Sequence, residues 1–163
     1  MGCSKDNSLD NTNINKIKYI EEALDEHNKL REIHKSKPLK NNKTLNEIAQ
    51  KYALKLFNSQ YFYSNYTFNG EALGENIFLK NEYKKPKEIC QEWYNEKDNY
   101  DYDNEKFQKD SIHFTQLVWK STEEFGFGYI YNNDKNKTCG VALYYPSGNR
   151  LFEFKNNVEK KKK

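Results

Sequence analysis

Residues 125–131 read Phe125-Gly126-Phe127-Gly128-Tyr129-Ile130-Tyr131. Large rings alternate with small or aliphatic residues at period two, the signature of a strand. Asn132–Lys137 then supplies turn residues, and Thr138–Tyr145 reads as a second strand. Pro146-Ser-Gly-Asn149 is a further turn, with a third strand expected over Leu151–Lys155. Upstream the period changes. Ile17, Ile20, Leu24, His27, Arg31 and His34 recur at steps of three and four, one face of a helix that Pro38 closes. Thr44 and Glu47 form a capping box ahead of the stripe Leu45, Ile48, Ala49, Tyr52, Ala53 and Leu56. Pro86 suits a first helical position before Ile89, Cys90, Trp93 and Tyr94. A short helix is expected around Phe114–Lys120, and residues 58–72 read as an aromatic loop. Helices gathered against a hairpin series make the expected class α+β.

The chain has 163 residues, which suits one domain of ordinary size. Its 22 Asn and 25 Lys make it very polar, yet 15% of its residues are aromatic. Disordered chains lack aromatics, so a folded domain with an aromatic core is expected. Net charge is +3, and residues 159–163 carry a basic tail. No basic stripe runs along the domain, which argues against nucleic acid as a partner. Three cysteines are too few, and odd in number, for a disulfide framework. They read as free thiols of a reducing compartment. Sequons at Asn42, Asn65 and Asn136 are no more frequent than chance in a chain so rich in Asn.

The chain starts Met-Gly-Cys-Ser-Lys-Asp. Gly2 is a candidate for myristoylation and Cys3 for palmitoylation. Asp6 stands where the usual pattern wants Ser or Thr. A solvated leader, or the start of a lipoprotein whose signal is gone, would read the same way. Residues 1–15 are expected to be a flexible, acylatable leader, 16–158 the folded domain and 159–163 the polybasic tail.

Few residues suggest chemistry. His27 and His34 lie seven apart, not at the four-residue spacing of a helical zinc pair, and read as structural. His113, Glu75 and Glu96 remain, with nothing in their spacing to unite them. Five segments carry a resemblance that does. They are His27–His34 with the following Pro38-Leu39, Gly74-Glu-Asn-Ile77, Trp93-Tyr-Asn-Glu96, His113-Phe-Thr-Gln-Leu-Val-Trp119 and Tyr144-Tyr-Pro-Ser-Gly-Asn149. In this order they resemble the CAP superfamily of cysteine-rich secretory proteins, antigen 5 and pathogenesis-related proteins. The resemblance covers about residues 16–158. It implies an α-β-α sandwich with a mainly antiparallel sheet.

The resemblance also implies an open cleft with two His and two Glu. Glu75, Glu96 and His113 match three of them. Where the family has its other His before a Ser, this chain has Tyr63-Ser64. A neutral phenol is a poor zinc ligand, so His113, Glu75 and Glu96 would hold a divalent ion weakly, and no cofactor is expected. The Met-Gly-Cys start fits the branch of the Golgi-associated plant pathogenesis-related protein. That branch implies anionic lipid as partner, homodimers, and the cytosolic face of a membrane, and some relatives imply sterol as the alternative partner. The expected function is non-enzymatic and lipid-associated, with a degenerate cleft. The aromatics Tyr61, Phe62, Tyr63, Tyr66, Phe68, Tyr100, Tyr102 and Phe107 either contact lipid or pack the core. A secreted interaction protein is the alternative. A hydrolase is the remaining reading, with His113 as base, Glu75 or Glu96 orienting it, and Ser64 as nucleophile.

Overall fold

The computed structural model describes residues 7–59 and 64–163, with side chains from residue 15 onward. The elements run α1 (Asn7–Ile33), β1 (Lys40–Asn41), α2 (Lys43–Asn58), β2 (Thr67–Phe68), β3 (Glu71–Ala72), β4 (Gly74–Lys80), α3 (Pro86–Asn95), α4 (Ile112–Val118), β5 (Glu124–Asn132), β6 (Lys137–Tyr145) and α5 (Phe154–Asn157). Two 3-10 turns, Glu96–Asn99 and Lys109–Ser111, lie between α3 and α4. The main sheet has the order β1-β5-β6-β4. β6 pairs antiparallel with both β5 and β4. β1 adds two residues parallel to β5, so the sheet is mixed where a mainly antiparallel one was expected.

The alternation at 125–131 sets the two layers. Phe125, Phe127 and Tyr129 face α1, α3 and α4, in a cluster with Ala23, Leu30, Ile89, Trp93, Phe114 and Leu117. The opposite face meets α2 through Cys139, Val141 and Leu143 of β6. Gly126 and Gly128 lie under α2 with no room to spare. A Cβ on Gly126 would sit 2.3 Å from the Leu45 carbonyl carbon, and one on Gly128 2.3 Å from the Ala49 carbonyl oxygen. The glycines of the strand are therefore the seat of a helix. Cys90 packs on the α1 side and Cys139 on the α2 side, and both are free thiols. Burial pushes the Cys139 thiol up to about 12, and the Cys90 thiol also rises. Both stay protonated and inert at neutral pH.

Several boundaries differ from the sequence expectation. α1 begins at Asn7, inside the segment read as leader, and ends at Ile33, well before Pro38. Lys35, in the left-handed region at φ 59°, turns the chain there. Ile17 is exposed, while His27, Arg31 and His34 are buried. Asn42, not Thr44, caps α2, its side-chain oxygen accepting from the Leu45 amide at 3.0 Å. The expected loop 58–72 contains the β2–β3 hairpin, whose Asn69 and Gly70 both take positive φ. That is the demand of a type I′ turn. Gly74–Lys80, which carries Glu75, is a strand that the sequence analysis did not single out. Both of its faces are covered, so it shows no polar alternation. The third strand expected over Leu151–Lys155 is instead a turn and α5. Phe152 at φ 66° breaks extension, and Phe154 packs edge-on against Trp119 at 5.1 Å.

Both α1 histidines are structural. The His27 Nδ1–H donates to the Ala23 carbonyl at 2.8 Å, and the Tyr144 hydroxyl donates to His27 Nε2 at 2.6 Å. The Tyr94 hydroxyl donates to His34 Nε2 at 3.0 Å, and the His34 Nδ1–H donates to the Glu159 carbonyl at 2.7 Å. Burial lowers His27 to about 3 and lowers His34 in the same direction. The unfolded chain takes up protons near pH 6.5 that the folded chain refuses.

Two predictions follow from this packing. Replacing Gly126 or Gly128 by Val should cost at least about 2 kcal/mol in urea denaturation, because the obstacle is backbone of α2 rather than a side chain that can swing away. Stability should be fully present above pH 6.5 and fall as pH drops toward 3. His27 alone should remove about 2 kcal/mol between pH 7 and pH 5. A flat urea midpoint over that range would contradict the neutral, buried His27.

Candidate functional site

Glu96 opens the 3-10 turn after α3, and His113 lies in the first turn of α4. The two meet directly. His113 Nδ1–H donates to Glu96 Oε1 at 2.7 Å. Glu96 Oε2 accepts from the amides of His113 at 2.9 Å and Phe114 at 3.3 Å. One carboxylate thus orients the imidazole and caps α4, where unpaired amides and the helix dipole favour negative charge. Nδ1 is the donor to that carboxylate. Nε2 has no hydrogen-bond partner among the described residues. The imidazole stacks on Trp93, with ring centres 6.1 Å apart and planes 12° from parallel. Its side chain is 29% exposed, so the ring is reachable from solvent.

Glu75 belongs to different company. It stands on β4, one residue before Asn76. Its Oε1 accepts from the Tyr52 hydroxyl of α2 at 3.3 Å. Burial, and next the Glu75 charge, raise the Tyr52 phenol above its ordinary value, so it remains a donor. Asn76 points the other way, its amide donating to the His113 carbonyl at 3.0 Å and the Tyr144 hydroxyl at 3.1 Å. The Asn76 carbonyl oxygen is buried without a hydrogen-bond partner among the described residues.

The expected cleft residues are therefore joined in part. Glu96 and His113 form a pair, and Glu75 bonds to Tyr52. Among the described residues no three His, Cys, Asp or Glu side chains come together as a metal-holding group. Tyr63, Gly2 and Cys3 lie outside the described residues, as do Tyr61 and Phe62. Ser64 Oγ accepts from the Tyr66 amide at 3.5 Å, and no hydrogen bond joins it to His113 among the described residues. The arrangement can present one oriented imidazole nitrogen to a ligand, as base or as donor atom. Tyr52, Asn76 and Trp93 were not among the expected site residues. Tyr52 was legible only as part of the α2 apolar stripe.

Of the aromatics weighed as lipid contacts, Tyr100 is buried and Tyr102 packs against it. Tyr66 and Phe68 pack on the α2 side of the sheet. Phe107 is exposed.

A second feature is a basic face at the far end of α1. The tail does not trail off. The Lys162 amide donates to the Ile33 carbonyl at 2.9 Å, and Glu159 pairs with Lys35 and Lys120. Lys160 lies 5.7 Å from the centre of the Tyr102 ring and Lys161 6.0 Å from that of Tyr94. Lys35, Lys37, Lys40 and Lys120 line a cavity of about 630 Å³ on this side of the molecule, with Pro38, Thr122, Glu123 and Glu124. No helix among the described residues is long and apolar enough to cross a membrane.

Comparison with known proteins agrees with the geometry. The family described as "CAP: Cysteine-rich secretory protein family" matches residues 24–145. The human Golgi-associated plant pathogenesis-related protein 1 is 33% identical over 147 residues, covering 89% of this chain and 95% of its own. The Secreted protein RBT4 of Candida albicans is 34% identical over 152 residues, covering 90% of this chain and 40% of its own. The structure of Schistosoma mansoni venom allergen-like protein 4 superposes with a TM-score of 0.67 at 22% identity, covering 89% of this chain and 96% of that one. That likeness establishes an α-β-α sandwich.

The two carboxylates should differ under substitution. Glu96→Ala removes three hydrogen bonds and leaves their donors unpaired, which should cost about 2–4 kcal/mol. Glu75→Ala loses one long bond at a half-buried position and should cost about 1 kcal/mol or less. Parallel urea titrations check the order, and equal losses would contradict it.

Proposed function

We propose, for a chain that belongs to the cysteine-rich secretory protein (CAP) family, a non-enzymatic role at an anionic membrane surface. The observation that carries this reading is the basic face. Its tail lysines are tied to the end of α1 by Lys162 and Glu159, beside Lys35, Lys37 and Lys40. Lysines held in place lose less freedom on binding than those of a loose tail. Each one near an anionic leaflet contributes about 1 kcal/mol. Acylation of Gly2 or Cys3 would add the second attachment that stable anchoring requires. Sterol is a further ligand of this reading, and homodimers a further state. The name of the human relative, Golgi-associated, supports a membrane site.

The Glu96–His113 pair supports the non-enzymatic reading. Glu96 already binds the imidazole and two amides, which accounts for the pair by structure alone. A second reading, a secreted interaction protein, is favoured by the likeness to a relative whose name calls it secreted.

Two measurements test the proposal. The intact mass of the protein from its own cells should show an acyl group on Gly2 or Cys3. The full chain should sediment with vesicles of phosphatidylcholine and phosphatidylserine, and do so less as salt rises. Replacing Lys160, Lys161, Lys162 and Lys163 with Gln should weaken that binding at least tenfold. Binding indifferent to phosphatidylserine would overturn the reading. A longer start or a glycan at Asn65 would establish the secreted alternative instead.

A further inference from the structure

We propose that the turn at Leu151–Phe152 is an apolar tip that inserts into the membrane. The inference rests on the membrane reading above and names the element that enters the lipid. Phe152 is 86% exposed, Leu151 60% and Phe107 53%. Phe152 has the highest exposure among the large apolar side chains described.

The backbone holds these residues out. Asn149 and Phe152 both take left-handed conformations, at φ 55° and 66°. An aromatic residue rarely adopts that region, and its use here signals a surrounding structure that imposes it. Both flanks are anchored. The Asn149 amide donates to the Ile112 carbonyl at 2.9 Å, and the Thr115 hydroxyl donates to the Asn149 oxygen at 2.5 Å. On the other side Phe154 is buried against Trp119. The turn is therefore braced, with its two apolar side chains pointing away from the core that anchors it.

The tip adjoins the basic face. Leu151 and Phe152 line one side of an open depression whose other side is Asp101, Asp103, Asn104 and Lys106. Tyr102, in that same loop, lies under Lys160 of the tail. Lys155 pairs with Glu105 across the depression at 3.8 Å. Asp101, Asp103 and Glu105 face Lys106 and Lys155 around the depression, and Arg150 and Glu153 cancel on either side of the turn, which leaves about one negative charge. The tip is thus close to neutral beside a strongly basic neighbour. A protruding pair of apolar side chains with the lysine tail close by suits a bilayer, which needs no matching groove. The lysines meet phosphate while Leu and Phe enter the acyl boundary.

The test uses the full chain and vesicles of phosphatidylcholine and phosphatidylserine. F152W places a reporter at the tip, and Trp93 and Trp119 are buried, so the difference from the unsubstituted chain isolates it. Its emission should shift to the blue on vesicles and be quenched by lipids brominated on their acyl chains. The double variant L151S/F152S should keep its melting temperature and bind at least tenfold more weakly. It should also lose the fraction of binding that survives high salt. Vesicle binding by the unsubstituted chain, with no F152W shift and no loss in the double variant, would overturn the tip while leaving the membrane reading intact. No vesicle binding at all would overturn both. Self-association that the double variant abolishes, without any F152W shift on vesicles, would assign the tip to a second copy and overturn insertion.

Discussion

Arg31 is a guanidinium in the interior that donates to main-chain carbonyls of two separate segments. Its Nε donates to Lys37 at 2.9 Å, Nη1 to Leu117 at 3.0 Å and Trp119 at 2.9 Å, and Nη2 to Thr122 at 3.1 Å. Burial lowers its pKa to about 10, which still leaves it charged at neutral pH. A charge so placed is tolerated only if its donors are met, and the fork of a guanidinium can meet several at once. The consequence is geometric. The connection after α1 and the turn after α4 must both bring carbonyls to the same point. Ser36, which donates to the Val118 carbonyl at 2.6 Å, repeats the tie. α4 is fixed at its far end by this clamp and at its near end by Glu96. His113 inherits its position from both.

The parts of the fold that obey a single period were legible. The alternation at 125–131 became β5, and its glycines explain why α2 lies so close. The stripe from Leu45 to Leu56 became the buried face of that helix. Elements that lack a period were not legible. Gly74–Lys80 is covered on both faces, so its apolar run cannot be told from any other. Leu151–Lys155 has too few residues to separate a strand from a turn and one helical turn. The cap of α2 moved to Asn42 because Asn accepts from the Leu45 amide at least as well as Thr44 would have done. Arg31 and His34 lay on the helix stripe with the apolar residues, which marked them as buried. Nothing in the sequence shows that carbonyls from distant segments receive them.

The site was legible through motifs rather than physics. His113 and Glu96 lie 17 residues apart, and their meeting depends on the loop between α3 and α4 doubling back. Tyr100 and Tyr102 pack that loop against Phe114 and each other, so aromatics that could have been surface contacts are its core. Glu75 is the opposite case. It neighbours Asn76 in sequence, yet the period of a strand sends the two side chains to opposite faces. A motif that keeps both residues therefore serves two purposes: Glu75 meets α2 through Tyr52, and Asn76 ties β4 to the start of α4.

The same economy governs the end of the molecule that carries the lysines. Four consecutive lysines repel one another and would extend freely from most domains. Here the main chain of that segment is tied at Glu159 and Lys162, while its side chains remain exposed. The negative end of the α1 dipole favours positive charge at that place, and this helps hold the tail where it is. Structural need and surface charge are met by the same residues. A basic face assembled in this way keeps its shape without a partner, so its main chain would need little further ordering on contact with one.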